Sequence, residues 1–351
     1  MTQLNPKFSI IIVTYNSGQY LMDCITALTG QKNKNFELII VDNQSDEGLV
    51  HSVNISSLTH RIINLEKNIG FAAANNIGAK QAVGTWLITL NPDAIPEDNW
   101  LVEIEAAIKR YPETRIFGSK QIKFDNPDKL DGAGDHYHCT GIAWRGGEGD
   151  LAETISQDAM VMSPCAAAAI YHRDTYLALG GMAEEFFCYY EDVDLGLRFR
   201  LSGYNSVQLS DAKVRHIGSA TTGKSSQFVK YHVSRNRVWT FIRCVPGLLF
   251  VVCLPLLIIS IFARLCFSIF AGDSLIKLKA FWDAIVGIRR IWNDRRDIQK
   301  ARKATTSQFG SDMTWSIGKL IFRATDSRPI PSALILKDGS ASGQAGNTDG
   351  S

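Results

Sequence analysis

Three sets of acidic side chains stand where short apolar runs of this 351-residue chain end: Asp42 in IIVDNQSD, Asp93 in ITLNPDA, and Glu191, Asp192 and Asp194 in YYEDVDLG. Ligands of parallel α/β sheets bind outside the carboxyl ends of the strands, so all three sets can face one crevice. A carboxylate directly after a buried strand is placed to accept a hydrogen bond from a nucleoside base or ribose. A second can hold a divalent cation that bridges phosphates. Glu191 and Asp192 are neighbours, so if one points at a substrate the other points elsewhere, to a backbone donor or a basic residue. Asp194 could instead cap the helix running through Leu195 to Leu201. Thr14, Tyr15 and Asn16 close another strand, where such residues also serve simply as turn formers. Neither a G-x-G-x-x-G run nor a Walker pattern occurs, which argues against a dehydrogenase or P-loop enzyme.

The elements that must position these residues are legible from periodicity. FSIIIVTY, ELIIVDN, HRIINLE and TWLITLN read as strands, and Gly18 to Leu28 and Gly70 to Val83 carry apolar residues at helical spacing. Asn68 and Gly70 mark the loop entering the second helix. This alternation predicts a sheet wrapped by helices. A helix over Asn99 to Arg110 follows. The Gly-rich stretch from Asp131 to Gly149 shows neither period and is read as a mobile loop, with His136 and His138 taken as structural. Then come a small-residue strand over Met160 to Tyr171, the acidic helix start at YYEDVDLGLRFRLSG, and a strand and turn at VRHIGSA. Phe8 to Val13 reads as a buried strand rather than a signal peptide.

Net charge is +2, which gives no global field for nucleic acid. The seven cysteines are odd in number and never in a Cys-x-x-Cys pair, which disfavours a disulfide framework or zinc site and fits a reducing cytoplasm. From Pro246 to Gly272 the chain is nearly all apolar with one charge, Arg264, and its prolines predict a kinked or broken helix. A basic amphipathic stretch follows, then a Gly/Ser/Asn/Asp-rich tail from Lys337 to Ser351 that buries too little apolar area to fold. The expected division is a catalytic domain over 1–230, a membrane-associating helical region over 231–305, and a C-terminal segment over 306–351. Arg235, Asn236 and Arg237 precede the apolar run, as either a solvated or lipid-headgroup face or a clamp on a diphosphate.

The ordered motifs SIIIVTYNS, VDNQSD, NIGFAAANNIGAKQAVGTWLITLNPDA, GGMAEEFFCYYEDVDLGLR and VRHIGS, between Phe8 and Trp239, resemble the family 2 glycosyltransferases. Within that family they resemble the rhamnosyltransferase-like members of polysaccharide assembly. The resemblance implies a GT-A nucleotide-diphospho-sugar transferase fold, a Rossmann-like mixed α/β sheet flanked by helices. It implies that Thr14, Tyr15, Asn16 and Asp42 hold the nucleoside of a nucleoside diphosphate sugar donor, with Asn68, Gly70 and Asn75 lining the same pocket. Asn91 and Asp93 would stand at a Mg²⁺ or Mn²⁺ site, His216 would be a metal or diphosphate ligand, and Asp192 would be the general base supported by Glu191. Arg235 is assigned to the donor side. The expected acceptor is a polyprenyl-diphosphate-linked saccharide. Because nucleotide sugars are cytosolic and positive charge lies on both flanks of the apolar run, an in-plane segment on the cytoplasmic face of the inner membrane, meeting anionic lipid, is expected.

The sequence departs from the family pattern at two places. Asn91-Pro92-Asp93 replaces Asp-x-Asp and leaves one carboxylate, so metal is expected to bind weakly without donor diphosphate. Ala183 stands where related enzymes often have Asp. An alternative of another class, a catalytically silent nucleotide-sugar-binding or scaffold protein, would keep Asp42 and dispense with Asp192. A nucleotidyltransferase would need a basic triphosphate loop near the N-terminus, and GQYLMDC offers none.

Overall fold

The computed structural model describes residues 6–46, 55, 57–218 and 226–336. The first half runs β1 (Phe8–Thr14), α1 (Gln19–Gly30), β2 (Phe36–Asp42), β3 (His60–Asn64), α2 (Phe71–Gln81), β4 (Trp86–Leu90), β5 (Ala94–Pro96), α3 (Trp100–Arg110) and β6 (Ile116–Lys123). Next come β7 (Leu130–Gly132), β8 (Asp135–Tyr137), β9 (Ala143–Arg145), β10 (Ala159–Val161), β11 (Ala168–His172), α4 (Arg173–Ala178), α5 (Glu191–Leu201) and β12 (Ser206–His216). The chain then turns helical: α6 (Gln227–Cys244), α7 (Gly247–Phe270), α8 (Ser274–Val286), α9 (Ile288–Ala301), α10 (Thr306–Asp312) and α11 (Ile317–Phe322).

The main sheet has the order β10-β12-β6-β11-β4-β1-β2-β3, with β5 on β12 and β7 on β6. Every residue of β1 and β4 is buried, as continuous apolar runs require of strands covered on both faces. Alternate side chains go to opposite layers: Ile10 and Ile12 pack with α1 and α3, while Ile11 and Val13 pack with α2 and α5. β1 is parallel to β2 and β4, whereas β11 runs antiparallel between β4 and β6. The carboxyl ends of β2, β1, β4, β6 and β12 therefore share one edge with the amino end of β11. That edge carries the site.

Three expectations about local structure are corrected. The stretch from Asp131 to Gly149 is an ordered, largely buried layer: β7 pairs with β6, and β8 pairs with β9. Its strands are too short to show a period. The strand expected over Met160 to Tyr171 is two strands, β10 and β11, separated by a turn through Ser163 to Ala167. Pro255 does not break α7, which runs 24 residues through it; a proline removes a single helical hydrogen bond, and the surrounding Leu and Ile are good enough helix formers to continue. The tail from Lys337 lies outside the described residues.

The core does not stop at position 230. Tyr137, Phe186, Tyr190 and Leu197 share one buried cluster with Trp239, Phe241, Leu257, Ala284, Ile291 and Phe309. At its centre Asp194, fully buried on α5, accepts hydrogen bonds from Arg198 Nε (2.7 Å) and from Arg243 Nε on α6 (2.7 Å). Asp194 is thus an ion-pair centre and not a helix cap, since α5 already begins at Glu191. Arg243 also meets Glu185 and, on α9, Asp294. Burial alone would push the Asp194 carboxyl up, but Arg243 and Arg198 outweigh it and hold the group below the ordinary carboxylate range.

Removing one partner of a buried ion pair leaves an uncompensated charge, so Arg243→Met should destabilise the fold by about 3 to 5 kcal/mol at pH 7. A carboxylate depressed on folding contributes stability above its unfolded value, about 3.9, and loses it as pH falls through the folded value. The gap in melting temperature between wild type and variant should therefore be widest near neutrality and narrow under acid. A gap below a degree at pH 7, or one that widens under acid, would remove this network from the stability of the fold.

Candidate active site

Toward β3 the edge is formed by the turns that follow β1 and β2. Asp42 ends β2 in register with Thr14 of β1 and Asn64 of β3. Its Oδ1 accepts from the Ser45 N–H (3.0 Å), while Ser45 Oγ accepts from the Asn16 N–H (2.9 Å) and Asn16 Oδ1 from the Asp46 N–H (2.7 Å). Asn16 holds φ 51°, a left-handed conformation that asparagine tolerates. Thr14 is buried and Tyr15 exposed. One buried residue, Asn43, locks this turn to the next. Its Nδ2 donates to Asn68 Oδ1 (2.9 Å), and its Oδ1 accepts from the Ile69 N–H (2.9 Å). Asn68 Oδ1 also accepts from the Gly70 N–H (3.0 Å). Asn43 was visible in the VDN run beside Asp42, but only as its neighbour.

Gly70 has φ 88°, and a Cβ there would sit 2.6 Å from Phe187, so only glycine lets α2 dock on the loop that precedes α5. Asn75 is tied into its own helix: its Nδ2 donates to Phe71 O (2.9 Å), and its Oδ1 is buried without a hydrogen bond among the described residues. Asn76 instead joins α2 to the loop, donating to Met182 O (2.8 Å) and Glu184 Oε1 (3.0 Å) and accepting from Tyr176 Oη (2.7 Å) and the Met182 N–H (2.9 Å).

At the centre of the edge, Asn91 and Asp93 occupy the turn between β4 and β5. β5 pairs antiparallel with the end of β12, Ala94 opposite His216, and this register brings Asp93 and His216 together. His216 Nε2 stands 3.4 Å from Asp93 Oδ1. Its Nδ1 donates to Asp131 Oδ2 at 2.7 Å, since an ionised carboxylate only accepts. Burial lowers the His216 pKa, but Asp131 and Asp93 oppose it and the net shift is upward. Asn91 Oδ1 and His216 Nε2 are buried and make no hydrogen bond among the described residues. A divalent cation fits this donor set. Orphaned oxygen and imidazole nitrogen atoms beside a carboxylate are ligands for it, with Asp131 fixing the histidine tautomer from behind. Asp131 and Arg145, whose Nη1 donates to the same Asp131 oxygen at 2.5 Å, were missed in the sequence. Charged residues inside an otherwise apolar, Gly-rich stretch were the available signal.

Asp192 lies in the first turn of α5, where the helix dipole favours negative charge. The left-handed residues Phe187, Tyr189 and Tyr190 bend the chain into that turn. Its Oδ2 accepts from the Ala166 N–H (3.0 Å) and its Oδ1 from the Val193 N–H (2.8 Å), and it is only half-buried. One residue on, Ala167 O accepts from the Asn91 N–H (2.9 Å). The turn from Cys165 to Ala167 thus carries Asp192 and Asn91 on consecutive residues, Ala166 and Ala167. Burial raises the Asp192 carboxyl, opposed by the Ala166 and Val193 N–H groups and by Arg145. Glu191 is buried with Oε2 unbonded among the described residues; burial and then the Asp192 charge push it well above the carboxylate range.

Arg235, Asn236 and Arg237 are neither a solvated face nor a lipid-headgroup face. Asn236 and Arg237 are buried. Asn236 Nδ2 donates to the carbonyls of Phe186, Cys188 and Tyr189 (2.9, 2.9 and 2.7 Å), and Arg237 Nη2 donates to Thr140 O (2.7 Å). Arg235, expected at the donor, stacks on Trp239 at 4.4 Å and gives Nη2 to the carbonyls of Glu185 (3.1 Å) and Phe186 (3.0 Å). Arg235 and Asn236 clasp the loop before α5, and Arg237 holds the turn between β8 and β9. His136 and His138 are buried and bonded within the fold, the former accepting from the Asp326 N–H (3.0 Å).

A mixed sheet flanked by helices, with carboxylates gathered at one edge, is the arrangement of a GT-A fold. Residues 9–174 match the family model for glycosyl transferase family 2. It is 28% identical over 227 residues to the O-antigen biosynthesis protein RfbC of Myxococcus xanthus, across 62% of this chain and 18% of that protein. Among solved structures it superposes on S. aureus TarS 1–349 in complex with UDP-GlcNAc at a TM-score of 0.55 and 18% identity, over 88% of this chain and 93% of that one. The mannosyltransferase PcManGT from Pyrobaculum calidifontis, in complex with GDP-Man and Mn²⁺, gives 0.52 and 15%, over 85% and 86%. These structural likenesses establish the GT-A fold.

Proposed function

We propose that this protein is an inverting glycosyltransferase of cell-surface polysaccharide synthesis. It moves a sugar, a deoxyhexose such as rhamnose from dTDP-rhamnose, onto a hydroxyl of a polyprenyl-diphosphate-linked saccharide. The observation that carries the reading is the turn through Cys165 to Ala167, which holds the half-exposed Asp192 beside the Asn91–Asp93 turn. In the reaction the Asp192 carboxylate takes the proton of the acceptor hydroxyl. That oxygen bonds to the anomeric carbon on the face opposite the diphosphate, and the bond from that carbon to the diphosphate oxygen breaks, releasing nucleoside diphosphate. Asp93, His216 and Asn91 would hold Mg²⁺ or Mn²⁺, which when bound supplies positive charge to the departing diphosphate. Asp42 and the turns locked by Asn43 hold the nucleoside, and the burial that raises the Asp192 carboxyl makes it a stronger base than an exposed aspartate.

We further propose that α7 lies in the cytoplasmic leaflet of the inner membrane. The helix is long and apolar enough to cross a bilayer by length and composition, and most of its surface is exposed, Leu248, Phe262 and Phe270 included. Exposed apolar side chains of α8, among them Leu275 and Trp282, extend that surface, and the basic helix α9 follows. Both flanks carry arginine, which favours keeping both on the cytoplasmic side.

Asp192→Asn should leave donor binding nearly intact and lower turnover by a factor on the order of 10² or more. Nucleoside diphosphate release from dTDP-rhamnose and other nucleotide sugars, with lipid-linked acceptors, is the assay. Turnover within threefold of wild type removes Asp192 from the reaction, and donor binding without turnover in the wild type favours the silent binding protein instead. Excess chelator should abolish release, with Mn²⁺ binding measurable only when nucleoside diphosphate is present; full activity in chelator rejects the cation. For the membrane, Ser351→Cys in a background without other cysteines should resist an impermeant thiol reagent added to intact cells. Labelling there would demonstrate a span and overturn the in-plane placement alone.

A further inference from the structure

The buried layer β7–β9 delivers three charged side chains to the site that the reaction above does not use. Asp131 comes from β7, Asp135 from β8, and Arg145 from β9 at the register position opposite Asp135. Asp131 Oδ2 receives both His216 Nδ1 (2.7 Å) and Arg145 Nη1 (2.5 Å). Toward the other end, the Asp135 carboxyl, Cys165 Sγ and the Asp192 carboxyl lie within 4.8 Å of one another. With no cation bound, burial pushes the Cys165 thiol up to about 12 and keeps it protonated, so the charge of this second group rests on its two carboxyls. Arg145 stands opposite Asp135 in the β8–β9 register, and its positive charge acts on both members of this carboxyl pair.

We propose that Arg145 is a positioning residue that couples the two ends of the site, holding Asp131 against His216 while balancing the Asp135–Asp192 pair with the same guanidinium. The planar fork of arginine suits this double task, which a point charge performs less well. The two carboxyls are not equivalent. Burial and the Asp192 charge push Asp135 well above the carboxylate range, whereas Asp192 has the Ala166 and Val193 N–H groups on its side. Burial raises both carboxyls, Asp135 the further, so Asp192 is the member of the pair that ionises first, the order a base needs before an acceptor arrives. A group that fixes geometry at the leaving end and charge at the attacking end acts on the transition state more than on donor binding.

This inference rests on the glycosyltransferase reading, and the experiment separates the two. Nucleoside diphosphate release is measured from dTDP-rhamnose, UDP-GlcNAc and GDP-mannose with lipid-linked acceptor, for wild type, R145M, R145K, D131N and the R145M/D131N double variant. Thermal melting accompanies each. R145M should lower kcat on the order of 10²-fold with the donor KM within about threefold, as loss of an aligned charged donor does. R145K should recover about tenfold of that loss, because the charge returns without the fork. The double variant should fall within about threefold of R145M, because the two residues act through one contact. A kcat for R145M within threefold of wild type, a rise in KM at unchanged kcat, or a loss that R145K does not relieve overturns the role of Arg145. R145K keeps the test sound should R145M melt early. A wild type that releases nothing from any donor sinks the transferase reading, and this inference with it.

Discussion

Asp194 is the constraint on which the rest of the molecule depends. A carboxylate without solvent survives only when its charge is matched, and here the match comes from two directions: Arg198, one turn further along the same helix, and Arg243, on a helix that follows the sheet in sequence. The pairing forces α5 and α6 into contact. That contact places Asn236 beneath the carbonyls of residues 186, 188 and 189 and sets the left-handed bend from which Asp192 emerges. Asp192 is held less by its own bonds than by a buried charge two residues away. Ionic groups at such positions add little net stability compared with apolar packing, and specify one arrangement against others.

The helical region is for this reason a part of the site's scaffold. Trp239, Phe241 and Ile291 complete the core that Phe186, Tyr190 and Leu197 begin. Arg295 adds hydrogen bonds from α9 to the carbonyls at the end of α6 (2.6 and 2.7 Å). Residues beyond α10 return to the β8–β9 layer, where Trp144 Nε1 donates to Ala324 O (3.1 Å). The sheet supplies the Asp42 and Asp93 ends of the edge, and the helices fix the end at Asp192.

The sheet was the legible part of this chain. Runs such as FSIIIVT and WLITL are covered on both faces, and that environment writes itself into sequence as unbroken hydrophobicity. Carboxylates following such runs announce themselves, which is why Asp42 and Asp93 could be picked out before any coordinates, whereas Asp192 opens a helix and stood out only as part of an acidic cluster. The layer from Asp131 to Arg145 could not be read, because strands of three residues show no period and because the partners of Asp131 and Asp135 are distant in sequence. Arg235 to Arg237 misled for a related reason. Three polar residues ahead of an apolar run look like a headgroup face, and nothing local reveals that backbone carbonyls from the preceding loop await them.

The turn through Cys165 to Ala167 has a mechanical consequence. The Ala166 N–H grips Asp192, Ala167 O grips the Asn91 N–H, and between them Thr89 Oγ1 donates to Ala166 O (2.8 Å) from within the sheet. Asp192 and Asn91 are thereby geared to a single rigid piece of backbone. Neither can swing toward a bound ligand without dragging the centre of the sheet. Under the proposed transfer, any closure that shuts water out must come from the rim, and divergence in sugar preference would accumulate there without disturbing the alignment of the two bonds exchanged.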